Sequence, residues 1–335
     1  MLAVALPCIV WPAVARATGD WVPPSDLRTL QAPFHQPEQI PFPADNQFTA
    51  ERELLGRTLF FDPRLSGSGV LACATCHNPS FGWGDGMQLG RGEGMQLLGR
   101  RTPTVLNAAW GGPYFWDGRA ATLEAQASGP IGSPKEMNQN MALLPAKLKA
   151  IDGYQALFDR AYPGEAINIV TITKAISTFE RTISSGRTPF DDWLDGDEGA
   201  VGAAAKRGFV LFTGEAHCSA CHSGWAFTDH KFHDIGLASP DVGRALVAPG
   251  EANAEHAFKT QTLRDVARRA PYMHDGSQRD LSTVINHYIG GGDRPGSDPL
   301  LQPLALSPAD VEDLIAFLGT LSGPAKSFPA PILPR

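Results

Sequence analysis

The sequence predicts a mainly α-helical fold made of two small modules related by an internal repeat. Three observations carry this reading. Cys73-Ala74-Thr75-Cys76-His77 returns as Cys218-Ser219-Ala220-Cys221-His222. Downstream of the two motifs the chain aligns with itself without a gap: Thr102 falls on Thr260, Thr104 on Thr262, Pro113 on Pro271, Tyr114 on Tyr272, Asp117 on Asp275, Gly118 on Gly276 and Leu123 on Leu281. Several stretches also space apolar residues three and four apart, the period of a helix with one buried face.

Two cysteines separated by two residues and followed by histidine form the attachment signature of c-type haem. The thiols become thioethers to the haem vinyl groups, and the histidine becomes the proximal iron ligand. Paired Cys-x-x-Cys motifs also hold structural zinc. Here, however, the segment between the pairs is far longer than a zinc ribbon's, and both motifs end in histidine. The modules are therefore read as cytochrome c-like haem domains carrying two covalently bound haem c groups. Cys73, Cys76, Cys218 and Cys221 attach them, and His77 and His222 ligate the iron.

The 335 residues, 43% of them hydrophobic, suffice for one large core or two ordinary ones. A net charge of −7 disfavours a nucleic-acid partner. The motifs take four of the five cysteines and leave only Cys8, so no disulfide framework is expected. Cys8 lies in an apolar run over residues 2–14, followed by Ala15-Arg16-Ala17. Residues 1–19 thus read as a secretory signal peptide, although its basic start is missing. The run is too short to span a membrane, and no other segment reads as membrane-crossing. Export fits the attachment of c-type haem outside the bacterial cytoplasm, so the expected location is the periplasm.

Taken in order, residues 20–46 are proline-rich and read as an extended surface segment. Residues 49–61 read as a helix with Thr49 as N-cap. Residues 78–99 form a long glycine-rich loop without histidine, of a kind that is usually functional. A short helix is expected over 123–127, and a stronger one over 168–183 with Ile169, Ile172, Ile176, Phe179 and Ile183 on a core-facing stripe. Residues 186–202, acidic and glycine-containing, read as a linker, and 203–212 as a helix leading to the second motif. Ser307, Pro308 and Asp310 open a last helix, which Gly323 is expected to stop. The domains are 47–187 and 188–323, with a tail over 324–335.

The repeat locates the far side of each haem. In the second module Leu281, Val284, Ile285 and Tyr288 share a helix face, which makes Tyr288 the candidate iron ligand opposite His222. His287 points about 100° away. Met273 is a further alternative, but its repeat partner is Phe115. The matching positions in the first module are Leu123, Gln126, Ala127 and Pro130. Proline has no group to give iron, so the first haem is expected to be open and the second closed. An open haem can activate a small oxidant, while a closed one stores or passes electrons. Peroxide cleavage needs a group that moves a proton between the two oxygens. Glu136 is the nearest carboxylate beyond Pro130, although a solvated surface acid is the commoner role for such a residue. Gln126 could hold peroxide by hydrogen bonds. Trp116 is a candidate electron relay, although an indole is more often simply core.

The segments 73–77, 101–107, 114–119, 129–130, 136–137, 218–222, 232–236 and 271–276 resemble the bacterial dihaem cytochrome c peroxidase family, which includes MauG-like members. The resemblance implies a peroxidatic N-terminal haem whose distal pocket holds Gln126, Pro130 and Glu136, with Glu136 as acid–base catalyst and Trp116 between the haems. It implies a periplasmic enzyme that reduces hydrogen peroxide to water, with electrons from a small c-type cytochrome or cupredoxin relayed through the C-terminal haem. A second reading is a MauG-like enzyme that oxidises a partner protein's Trp or Tyr through high-valent iron, and a third is a dihaem electron carrier. Homodimers are common in the family.

The departures are informative. Peroxidases of the family usually carry methionine where this chain has Tyr288, whereas MauG-like members carry tyrosine. Members that need reductive activation place a histidine in the loop that here has none. The family's inter-module calcium site uses an asparagine that falls on Arg101 and a carbonyl that falls on Arg269, and cationic side chains put calcium in question there. The tryptophan through which MauG draws electrons from its protein substrate is replaced by Ala216.

Overall fold

Each module is built on two helices that cross where one of them carries glycine. The computed structural model describes residues 21–324 and 328–335, so the leader-like segment with Cys8 lies outside the described residues. Among these residues the helices run α1 (Leu27–Gln31), α2 (Ala50–Phe60), α3 (Cys73–Cys76), α4 (Leu123–Gly132), α5 (Leu144–Lys149), α6 (Asp152–Ala161), α7 (Ile169–Thr182), α8 (Pro189–Leu194), α9 (Ala203–Thr213), α10 (Leu281–Ile289) and α11 (Pro308–Thr320). One short ribbon pairs β1 (Phe232–His233) antiparallel with β2 (Phe258–Lys259). No helix among the described residues is long and apolar enough to cross a membrane.

In the first module α2 packs on α7 so closely that a Cβ on Gly56 would lie 1.9 Å from the Ala175 carbonyl oxygen. In the second, α9 packs on α11 in the same way, and a Cβ on Gly208 would lie 2.0 Å from the Asp313 carbonyl. Around the first crossing Leu55, Leu59, Phe60, Ile172, Ile176 and Phe179 form one core. Around the second, Phe209, Phe212, Leu314, Phe317 and Leu318 form another. Thr49 caps α2 by accepting from Arg52 N at 3.1 Å, and Ser307 and Asp310 cap α11 reciprocally. Glu124 of α4 takes Arg181 of α7 in two hydrogen bonds of 2.7 and 3.1 Å, which fixes α4 over the first core.

Four expectations change. The helix at 123–127 extends to Gly132 and passes through Pro130, which sits in its last turn. The expected linker contains α8, because Phe190, Trp193 and Leu194 share an apolar face that outweighs the acidic composition. Thr188 and Asp191 cap this helix, and its aromatic residues are buried beside Phe209. Helix α11 ends at Thr320, before Gly323. Gly323 is needed instead where the chain passes the Arg187 carbonyl, 2.6 Å from where its Cβ would be. The N-terminal extension is not purely superficial: Phe34, 3% exposed, inserts among Phe190, Phe209 and Phe227. The tail returns to the first module, where Phe328 packs on Trp83 with ring centres 4.9 Å apart and Arg57 donates to the Pro329 carbonyl at 2.6 Å.

The two modules meet about a pseudo-twofold axis. Arg101 N donates to the His274 carbonyl at 2.7 Å, and Lys259 N donates to the Trp116 carbonyl at 2.8 Å. Arg101 and Lys259 are repeat partners, as are Trp116 and His274, so each contact is the image of the other. This reciprocity is the mark of a self-complementary interface. Gly118 and Gly276 repeat it: their Cβ positions would lie 2.3 Å from Phe232 Cζ and from the Gln88 carbonyl oxygen, respectively.

Replacing Gly208 with alanine should destabilise the holoprotein by about 1–3 kcal/mol through overpacking, read as a lower denaturation midpoint. An unchanged midpoint would show that the α9–α11 crossing tolerates a methyl group. Glu180 on α7 is buried, and its Oε2 has no partner among the described residues. Burial pushes its carboxyl from 4.5 up to about 8. The folded chain therefore holds a proton that the unfolded chain releases, and this contribution to stability is lost as pH rises from 4.5 towards 8. Glu180→Gln should flatten that decline in thermal melts across the window; a decline as steep as the parent's would assign it to another group.

Candidate haem sites

Cys73, Cys76 and His77 stand at i, i+3 and i+4, the spacing that puts three side chains on one face of a helical turn. The turn is closed by His77 N donating to the Cys73 carbonyl at 2.8 Å, and its counterpart by His222 N donating to the Cys218 carbonyl at 2.9 Å. His77 Nδ1 donates to the Trp83 carbonyl at 3.2 Å, and His222 Nδ1 to the Phe227 carbonyl at 2.9 Å. A carbonyl only accepts, so each ring carries its proton on Nδ1 and keeps the Nε2 lone pair for a metal. Burial lowers both imidazole pKa values and holds the rings neutral. The carbonyl-bearing turns are themselves held. Thr104 Oγ1 donates to the Gly82 carbonyl at 2.7 Å, and Thr262 Oγ1 to the Ala226 carbonyl at 2.6 Å. Sequence reasoning found these two threonines only as repeat partners. Their role in aiming the histidines runs through backbone atoms, which leave no side-chain pattern.

In the second module a cavity of about 250 Å³ is lined by the Cys218–His222 turn and by Leu281, Val284, Ile285 and Tyr288, the inward face of α10. Asp280 caps this helix with a hydrogen bond of 2.8 Å from Thr283 N. The Tyr288 hydroxyl makes no hydrogen bond among the described residues, and burial raises its pKa. An apolar chamber with an imidazole Nε2 and an unpartnered phenol on its walls fits a haem held by both. Met273 lines the same cavity. His287 faces elsewhere, with Nε2 hydrogen-bonded to the Ile235 carbonyl at 2.8 Å and Nδ1 3.3 Å from Asp293.

In the first module Gln126 and Pro130 lie one turn apart on α4. The chain then folds back: Met137 N donates to the Pro130 carbonyl at 3.0 Å and Gln139 N to the Ile131 carbonyl at 2.9 Å. Glu136 sits in this turn, and its carbonyl accepts from Glu93 N at 2.8 Å. The glycine-rich loop is therefore the clamp on the Glu136 segment. Gly92 lets it close, since a Cβ there would lie 1.8 Å from the Lys135 carbonyl oxygen. The half-buried Glu136 carboxylate has no hydrogen-bond or ion-pair partner among the described residues. Burial pushes the Cys76 thiol up to about 11, and the negative charges of Asp85 and Glu136 add to that rise. The His77 ring, with Nδ1 committed to a carbonyl, fits a haem ligand here as His222 does in the second module.

Trp116 is buried beside the second cavity. Its Nε1 donates to the Arg101 carbonyl at 2.8 Å, and its ring lines the second cavity, edge-on to His274 at 6.4 Å. The irregular segment from Arg101 continues to Pro103, whose backbone contacts His77. Residues 101–104 thus link the second cavity to the first histidine.

Comparison with known proteins agrees with this geometry. The sequence profile described as di-haem cytochrome c peroxidase matches residues 50–199, and that of cytochrome c matches residues 205–322. Methylamine utilization protein MauG of Methylorubrum extorquens is 51% identical over 324 residues, covering 96% of this chain and 92% of that protein. Cytochrome c551 peroxidase of Pseudomonas aeruginosa is 36% identical, covering 89% of this chain and 86% of the relative. The crystal structure of a MauG-like protein associated with microbial copper homeostasis superposes with a TM-score of 0.80 at 31% identity, over 86% of this chain and 95% of that one. The chain, with two covalently bound c-type haems, belongs to the oxidoreductase family of di-haem cytochrome c peroxidases and MauG proteins.

Proposed function

We propose that this protein is a MauG-like dihaem enzyme of the periplasm, which uses hydrogen peroxide to oxidise a tryptophan or tyrosine of a partner protein in methylamine utilization. The observation that carries this reading is Tyr288 on the wall of the second haem cavity. A phenolate ligand favours oxidised iron and makes the second haem a poor entry point for electrons from a mild donor. The half-identical relative named for methylamine utilization supports the same direction.

When bound, the haems supply iron that reacts with peroxide and carries its two oxidising equivalents. The chain's own residues do the rest. Cys73, Cys76, Cys218 and Cys221 attach the haems, and His77 and His222 ligate them through Nε2. Pro130 would offer the first haem no ligating side chain. Glu136 moves the peroxide proton from one oxygen to the other, and Gln126 orients the peroxide by hydrogen bonds. Trp116 carries electrons between the two centres.

A second reading, peroxide reduction with electrons from a small cytochrome or cupredoxin, is favoured by one observation. Ala216, 4% exposed, offers no aromatic ring through which a docked protein could deliver electrons to the second motif.

Glu136→Gln should slow the reaction with peroxide by about 10²–10⁴-fold while both haems stay attached, measured by stopped-flow absorbance. Unchanged kinetics would refute its role. Tyr288→His should change the absorption and paramagnetic resonance spectra of the second haem; identical spectra would move the ligand assignment to Met273. Turnover with reduced cytochrome c separates the two functions. Slow turnover with a long-lived oxidised state is expected, and fast turnover would favour the peroxidase.

A further inference from the structure

Arg101 and Arg269 meet at the seam between the modules. Arg101 Nη2 donates to the Arg269 carbonyl oxygen at 2.6 Å, and Arg269 Nη2 donates to the Thr262 carbonyl. Both side chains are 6% exposed. Neither forms an ion pair among the described residues, and the Nε of each lacks a hydrogen-bond partner. Burial and the Arg101 charge together push the Arg269 guanidinium down to about 10. Lys259, the repeat partner of Arg101, adds a third cation without a carboxylate: its Nζ donates to the Pro113 carbonyl at 2.7 Å.

Cations buried side by side are strongly unfavourable unless an anion joins them. The nearby acids are engaged elsewhere. Asp85 accepts from Thr102 Oγ1 at 2.6 Å and from Met87 N at 2.9 Å, and Asp265 lies 3.5 Å from Arg268. Both arginines line the second haem cavity, and a haem brings two propionate carboxylates.

Calcium does not fit at this seam. It would need six to eight oxygens at about 2.3–2.6 Å, whereas the Arg269 carbonyl is already taken by a guanidinium and the neighbouring side chains are positive. We infer that Arg101 and Arg269 bind the propionates of the second haem, and that the Arg101 guanidinium replaces a divalent cation as the electrostatic link between the modules. The inference rests on the cavity being a haem site and not on which oxidation the enzyme performs.

The test uses the holoprotein. Its haem spectra and peroxide kinetics should be indifferent to EGTA and to added calcium; a response to either would overturn the replacement of calcium. Arg101→Met and Arg269→Met should each lower the potential of the second haem, because loss of a nearby positive charge favours the ferric state. A tenfold shift in the reduction equilibrium, 59 mV for one electron, is expected in spectroelectrochemical titration, and Arg101→Lys should retain most of the parent potential. Variants that carry two haems at the parent's potential would overturn propionate binding. A parent protein carrying fewer than two haems would overturn the site itself.

Discussion

Two hydrogen bonds, from His77 to the Trp83 carbonyl and from His222 to the Phe227 carbonyl, are what each module is built to hold. A metal-ligating imidazole is oriented and held in one tautomer by what its other nitrogen donates to, and a buried ring finds that partner inside the protein. Each carbonyl is offered by an irregular turn just after the motif. The threonine that pins that turn comes from an irregular segment further along the chain. That segment in turn includes or adjoins the residues that dock on the other module. Ligand orientation and inter-module contact are therefore one mechanical unit.

The pseudo-twofold seam joins two modules that share one scaffold. The scaffold is repeated down to its left-handed residues: Asn107 and Asp265 have φ of 61° and 58°, and Phe115 and Met273 have 68° and 70°. On that common frame the repeat-related helices α4 and α10 differ at Pro130 and Tyr288. At this one position of the repeat the first module has a side chain with no donor atom and the second a hydroxyl that lines the cavity. The glycine-rich loop adds the second difference, since in the first module it clamps the segment that carries Glu136.

Electrostatics divides the seam into two kinds of charge. Arg100 is satisfied within the protein, with hydrogen bonds of 2.6 Å to Asp117 and of 2.6 and 2.9 Å to Asp241 of the other module. Its neighbour Arg101 faces the haem cavity with no carboxylate of its own. One arginine closes the interface with carboxylates, while the next lines the cavity without one.

Much of this was legible in the sequence. The motif spacing is a local rule of helix geometry, so Cys73, Cys76, His77 and their repeats declare haem attachment without any tertiary information. The ungapped repeat aligned Pro130 with Tyr288, and helical periodicity separated Tyr288 from His287, whose imidazole indeed faces Ile235 and Asp293. The acidic stretch at 186–202 misled because composition suggested solvent, whereas Phe190 and Trp193 find a core supplied by distant α9 and α11. The carbonyl partners of the histidines, the clamp on Glu136 and the unpaired arginines were not legible, because each depends on backbone atoms or on burial. The sequence by itself determined which side chains attach the haems and which modules are related. Only the tertiary structure decided what surrounds each one, since desolvation and hydrogen-bond geometry arise when segments far apart in the chain are brought into contact.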